Sequence, residues 1–197
     1  MKSEMTKRVS LVFLSVVLVA WAAHAGSPVP DTGQTTCYDS VGDPIGCDGT
    51  GQDGEFSINP HSYTSLGGGT MVQDNVTGLI WEVKTDDGSI HDKDNTYTWS
   101  DASDVFIAQL NDDVFGGYDD WRLPTIEELS TIVDAEVYSP AIDTSYFPNT
   151  VSSWYWSSSS FAFNPAGYAW LVSFNLGHVF DYVKSNDNHA RAVRAGQ

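Results

Sequence analysis

Polar and apolar positions fall into four regimes along the chain. From Leu11 to Ala22 nearly every residue is apolar, with Lys2, Lys7 and Arg8 before the run and Ala23-His24-Ala25 after it. From Gly26 to about Pro60 no period holds, and Gly, Asp, Pro, Thr and Ser dominate, the composition of successive turns. From Thr70 onward, Thr70-Met71-Val72-Gln73 and Leu79-Ile80-Trp81-Glu82-Val83 read as two short strands joined by a polar turn, with Gly78 supplying a bend. Ala102, Val105, Phe106 and Leu110 then recur at spacings of three and four, which predicts a helix capped by Ser100 and closed by Asn111 and Gly116-Gly117. The last regime is a run of strands: Trp154 to Ser158, Tyr168 to Phe174, His178 to Val183 and Ala190 to Ala195. The second of these is apolar at almost every position, as a central, doubly covered strand would be. Helices followed by short antiparallel strands predict an α+β domain.

A second helix start lies between these regimes, at Asp119-Asp120-Trp121-Arg122-Leu123-Pro124-Thr125. Pro124 fixes its own φ and pushes Leu123 towards an extended conformation. Thr125 with Glu128 three residues on forms a capping box, and Leu129, Ile132 and Val133 give the helix from about Ile126 to Val133 an apolar face. Arg122, between two large apolar residues, needs a carboxylate or carbonyls to meet its guanidinium. It is read as a structural arginine tying this corner to nearby acids, together with Trp121, Pro124, Thr125 and Glu128.

The opening regime has a positive n-region, a short apolar core and a small-residue cleavage site, so residues 1–25 read as a signal peptide and the protein as secreted, periplasmic or extracellular. The apolar run is too short to be a good membrane span. Cleavage there leaves six basic and 25 acidic residues, a formal charge of −19 against −17 for the whole 197-residue chain. That field repels nucleic acid, anionic lipid and sulfated polysaccharide, and suits cations or neutral ligands. The two cysteines, Cys37 and Cys47, lie ten positions apart and read as one disulfide in an oxidising compartment. They staple an arm over residues 26–60 that leads into the domain proper at 61–197.

Two constellations carry candidate chemistry. Asp86, Asp87, Asp92 and Asp94, with Gly88 and Asn95, form an acidic loop able to offer oxygen ligands to calcium, although the spacing is not that of an EF-hand. Asn186-Asp187-Asn188 is a second oxygen-rich segment. The other constellation is aromatic. Trp154, Trp156, Phe161, Phe163, Tyr168 and Tyr182 are the candidate ligand contacts, with Tyr155, Trp170 and Phe180 nearby. Strand alternation sends Tyr155 to the face opposite Trp154 and Trp156. One set of rings then fills the core, while the other is free to form a platform for sugar rings or a protein partner. No Gly-x-Ser-x-Gly elbow accompanies Ser157 to Ser160, and His61, His91, His178 and His189 show no metal-ligand spacing. No catalytic residue is assigned, and the expectation is a protein that is not an enzyme.

Trp121-Arg122-Leu123-Pro124-Thr125 followed by Glu128-Leu129, with Gly116-Gly117-Tyr118 before and Trp156-Ser157-Ser158 after, resembles the Lcl C-terminal domain family, named for a collagen-like adhesin. The resemblance runs from about Thr70 to Arg194. More distantly, the Arg-Leu-Pro-Thr helix start and the Arg191-Ala192-Val193-Arg194 ending resemble the formylglycine-generating branch of C-type-lectin-like folds. The resemblance implies a C-type-lectin-like domain with two helices, short antiparallel strands and a Cys-containing lead-in. That enzyme branch depends on cysteines within its catalytic domain, and this chain has none after Cys47. Calcium-dependent lectins of this fold grip sugar with two tripeptides, of which Phe147-Pro148-Asn149 and Ser185-Asn186-Asp187 are partial echoes. The family's adhesin engages sulfated glycosaminoglycans as a trimer, a ligand that clustered basic residues would have to hold and that six scattered ones do not. Two readings remain open: a secreted module that binds a neutral or cation-bridged glycan or surface polymer, or an assembly subunit that binds itself or a protein partner.

Overall fold

A computed structural model describes residues 28–196, so the signal-peptide expectation lies outside the described residues. The arm comes first. Its strands β1 (Cys37–Tyr38) and β2 (Pro44–Ile45) pair antiparallel, and a Cys37–Cys47 disulfide closes them. The Glu136 carboxylate clasps the arm to the domain, accepting from the backbone N–H of Thr35 at 2.6 Å and of Thr36 at 3.1 Å, and from the Thr36 hydroxyl.

Two antiparallel sheets form the body. The four-stranded one runs β3 (Tyr63–Leu66), β4 (Met71–Asp74), β5 (Leu79–Glu82), then β9 (Val193–Ala195), which returns from the far end of the chain. The three-stranded one is β6 (Trp154–Ser160), β7 (Tyr168–Ser173) and β8 (His178–Val183), with β7 in the centre. The predicted strands are therefore present, with β9 shorter than expected: it begins at Val193, and the chain before it makes isolated bridges at Asn188 and His189. Gly78 at φ 77° makes the β4–β5 bend and Gly177 at φ 75° closes the β7–β8 hairpin, both in the left-handed region where a side chain is costly.

The first helix differs from expectation in cap and in face. Thr98, not Ser100, is the N-cap, its hydroxyl accepting from the Asp101 N–H at 3.2 Å. After one turn, Trp99–Asp101, the backbone is π-wound over Ala102–Ile107 before a regular turn, Ala108–Asp112. A π turn holds more residues than an α turn, so the buried stripe becomes Ala102, Phe106, Ile107 and Leu110, and Val105 turns out to solvent. The second helix, Ile126–Ser130, has the predicted capping box, with both reciprocal bonds made by Thr125 and Glu128. It stops earlier than Val133, yet Leu129 and Ile132 are still sealed.

The core has two parts, one on each side of the central strands. Met71, Ile80, Phe106, Leu110, Trp121, Trp156 and Leu171 form one; Val72, Trp81, Leu129, Phe147, Tyr155, Val172 and Phe174 form the other. Ile80 and Trp81 on β5, and Trp156 and Tyr155 on β6, point into different parts. Alternation there separates two cores and not core from solvent.

Candidate functional site: a ring-lined sheet edge and its cleft

Among the described residues β8 pairs with β7 alone, which makes it an edge strand. Opposite residues of paired strands share a face. Leu171 pairs with Phe180, Ala169 with Tyr182 and Ser173 with His178, while Trp154 pairs with Ser173 across β7. Trp154, His178, Phe180 and Tyr182 therefore project from one side of the sheet. The Trp154 ring meets Phe180 edge-on at 5.3 Å, lies 5.8 Å from Tyr182 at an interplanar angle of 33°, and touches His178 at 6.1 Å. Phe180 is 48% and Tyr182 37% exposed, whereas Trp154 is half-buried. These rings continue the core outward to the sheet edge.

Beside them the chain leaves β8 and doubles back. Residues 185–188 form the far wall of an open cleft of about 520 Å³, lined by Trp154, Tyr182, Ser185, Asn186, Asp187 and Asn188. That wall is pinned from both sides. Asn188 exchanges backbone bonds with Tyr97, both at 2.9 Å, and the His189 N–H donates to the Trp154 carbonyl at 3.0 Å while its own carbonyl accepts from Trp156 at 2.9 Å. Asn188 is nearly buried, and its side-chain nitrogen has no hydrogen-bond partner among the described residues.

The six predicted ring contacts do not form one surface. Trp154 and Tyr182 belong to the cleft. Trp156 must be withdrawn: it is fully buried, and its indole N–H donates to the Tyr97 carbonyl at 2.9 Å. A residue on β6 that shares Trp154's face but lies two positions further in is covered by the first helix and the Trp121 layer. Tyr168 pairs with Val183 and so shares the other face with Trp170. Phe161 packs edge-on against Trp170 at 5.1 Å, and Phe163, 91% exposed, reaches only Phe161, at 6.2 Å. Phe161, Phe163 and Tyr168 thus make a second, separate group.

The acidic loop is partly convergent. Asp86, Asp92 and Asp94 bring carboxylate oxygens within 4.8 Å of one another, but Asp87 turns away to Thr85 and Ser89. Asp92 already accepts from the N–H groups of Asp87, Gly88 and Asp94 at 2.7, 2.6 and 2.9 Å, which holds its carboxyl below the ordinary range. The Lys93 ammonium lies 2.6 Å from Asp86 and 3.6 Å from Asp94. The loop's positive charge is thus its own lysine.

The corner around Arg122 is closed by hydrogen bonds. Trp121 is buried and its indole donates to the Phe115 carbonyl at 3.0 Å, while the Asn111 amide both donates to and accepts from the Trp121 backbone. Arg122 points outward and grips Glu128 with two bonds of 2.7 Å. Burial would raise the Glu128 carboxyl, but Arg122 and the Thr125 N–H outweigh it and hold it low.

The sequence reading passed over a charge centre inside the four-stranded sheet. The fully buried Glu82 carboxylate meets Lys84 at 3.1 Å and His91 Nδ1 at 2.9 Å, and accepts from the Ala192 N–H at 3.1 Å. Arg191, equally buried, donates to the Glu82 carbonyl and the Thr150 hydroxyl, each at 2.7 Å. Burial would push the Glu82 carboxyl up, but Lys84, His91 and Arg191 hold it below its ordinary value. The one available signal was charge at alternate positions of an apolar strand, which reads as a solvent face until Phe106 is seen 4.2 Å from the Lys84 ammonium. No helix among the described residues is long and apolar enough to cross a membrane. Residues 70–194 match the family model of the Lcl C-terminal domain, and the chain belongs to that family. No curated protein matches the chain.

Proposed function

We propose that this member of the Lcl C-terminal domain family is an exported, non-enzymatic recognition module that binds a neutral glycan or surface polymer through the ring-lined edge of its three-stranded sheet. The observation that carries this reading is the Trp154–Phe180–Tyr182 group, which leaves large apolar rings in water beside a polar cleft. Exposed apolar surface rimmed by polar groups is the mark of an interaction site. The mixed helix and antiparallel-sheet architecture fits a C-type-lectin-like scaffold, and a fold of that kind says little about the ligand.

Charge narrows the choice. A formal −19 on the chain after the signal region opposes sulfated and uronic polymers, which need clustered Lys or Arg. Calcium bridging at the acidic loop would first have to displace Lys93 from Asp86 and Asp94, so binding through the rings needs no metal. A glycan array run with calcium and with a chelator tests the reading. It predicts neutral glycans retained under both conditions and lost in Tyr182→Ala; retention of heparin-like polymers alone, or only with calcium, overturns it.

The second reading, an assembly subunit, draws on the free β8 edge and on Phe163, which no core covers. It predicts sedimentation as an oligomer at micromolar concentration and no response to glycans.

A further inference from the structure

We infer that the cleft between Trp154, Tyr182 and residues 185–188 is a subsite for a single uncharged pyranose ring presenting adjacent hydroxyls, held without a metal. This rests on the glycan reading and adds where, and to what, the module binds. Four features carry it. The cleft has the volume of a small-molecule site, about 520 Å³, within the range of roughly 300–1,000 Å³ that such sites occupy. Its walls differ in kind: two rings on one side, and a hydroxyl, two amides and a carboxylate on the other. A pyranose has the matching asymmetry, with C–H groups on its faces and hydroxyls around its rim.

The third feature is Asn188. Its side-chain nitrogen is buried without a partner among the described residues, an unmet hydrogen bond that costs stability, while its backbone is fixed by Tyr97 on one side and the neighbouring His189 by Trp154 on the other. That nitrogen is covered as it stands, so a turn of the Asn188 side chain, which lines the cleft, brings it to a ligand hydroxyl and recovers the loss while the pinned backbone stays in place. Asp187 and Asn186 stand beside it to accept from and donate to the adjacent hydroxyl.

The fourth feature is ring geometry, which decides between sugar and organic cation. An electronegative, ring-lined cleft would also suit a quaternary ammonium group, but such groups are recognised by cages whose faces surround them. Trp154 and Tyr182 are tilted 33° to one another with centroids only 5.8 Å apart, too close to hold a cation between their faces, so they act as one wall. A wall stacks a flat ring and leaves a cation open to water. Asp187 further disfavours uronic acids in the same position, since like charges repel.

The test uses the chain from residue 26 onward, titrated with neutral methyl pyranosides, with methyl glucuronoside and with choline, and read by tryptophan fluorescence and amide chemical shifts. Saturable binding is expected for at least one neutral pyranoside, unchanged by a chelator, with shifts concentrated at 185–188. Asn188→Ala and Tyr182→Ala should each weaken it by about tenfold or more, the equivalent of about 1.4 kcal/mol, and Phe163→Ala should leave it unchanged. Circular dichroism of Asn188→Ala and Tyr182→Ala separates lost contact from lost fold. Wild-type affinity in a folded Asn188→Ala protein, or preference for choline or glucuronoside, overturns the inference. Array binding that is lost in Tyr182→Ala but persists in a folded Asn188→Ala protein sinks the subsite while leaving the glycan reading standing. Silence of both the array and the titrations sinks both.

Discussion

The two sheets are made of the same material, short antiparallel strands with a bulky residue at nearly every second position, and they end differently. The four-stranded sheet is covered on both faces, and the polar residues on β5 and beside β9 close into a buried ion network of Glu82, Lys84, His91 and Arg191. The three-stranded sheet is covered only as far as Trp156 and Leu171, and beyond them its rings stand in water at Phe180 and Tyr182. The difference lies in what returns to the strand. β5 receives β9 on its open side, whereas among the described residues no strand pairs with the outer edge of β8. The first sheet is therefore sealed, and the second keeps exposed rings, where the proposed binding is placed.

That contrast predicts unequal costs. The largest should come from opening the buried charge centre: Arg191→Ala or Glu82→Ala leaves an uncompensated charge, and loses about 3–5 kcal/mol in urea unfolding. Phe180→Ala on β8, an exposed position, should cost about 1 kcal/mol or less. Equal losses at the two places would erase the distinction. Next, Trp156→Ala should cost about 3–5 kcal/mol through the cavity it leaves, while Phe163→Ala stays within about 0.5 kcal/mol.

Acid should act on the closed region first. Glu82 is held below its ordinary 4.5 by Lys84, His91 and Arg191 against the opposing effect of burial. Asp120 is held below 3.8 chiefly by its bond to Arg194. For groups lowered in the folded state, the stabilisation is complete above the unfolded value and is lost as pH falls through the folded one. The urea midpoint should therefore drop below about pH 5, with a shallower drop in Glu82→Gln, while the His189 imidazole, lowered by burial, adds a rise between about pH 5 and 7. A midpoint that falls on raising the pH from 5 to 7 would contradict the assignment. The smallest effects belong to the exposed corner. Thr125→Ala should cost about 1 kcal/mol as a lost cap. Arg122→Ala, half-exposed and screened, should cost at most about 1 kcal/mol, and less in high salt.

Much of this was legible beforehand where the signal is local. The capping box at Thr125 and Glu128, the β4–β5 hairpin with its bend at Gly78, and the Cys37–Cys47 loop depend on residues a few positions apart. The misreadings share one cause. Val105 and Ile107 exchanged places because a π turn, invisible in the spacing, rotated the helix face. Trp154 and Trp156 look alike in sequence and share a face, yet one lines a cleft and the other is sealed, because the first helix covers only the second. Asn188 became part of the ring cleft only because residues 188 and 189 bridge Tyr97 and Tyr155.

By itself, the sequence determined the α+β content, the strand positions, the stapled arm and the negative field, since each follows from composition or from neighbours along the chain. Tertiary structure alone decided which rings reach water, which aspartates meet Lys93, and where Arg191 finds Glu82. Those outcomes turn on what covers each strand face and each sheet edge, and the covering elements can be distant in the chain, as where Ala195 pairs with Leu79. A residue's spacing fixes the side on which it emerges; only the arrival of a distant segment fixes whether that side is wet.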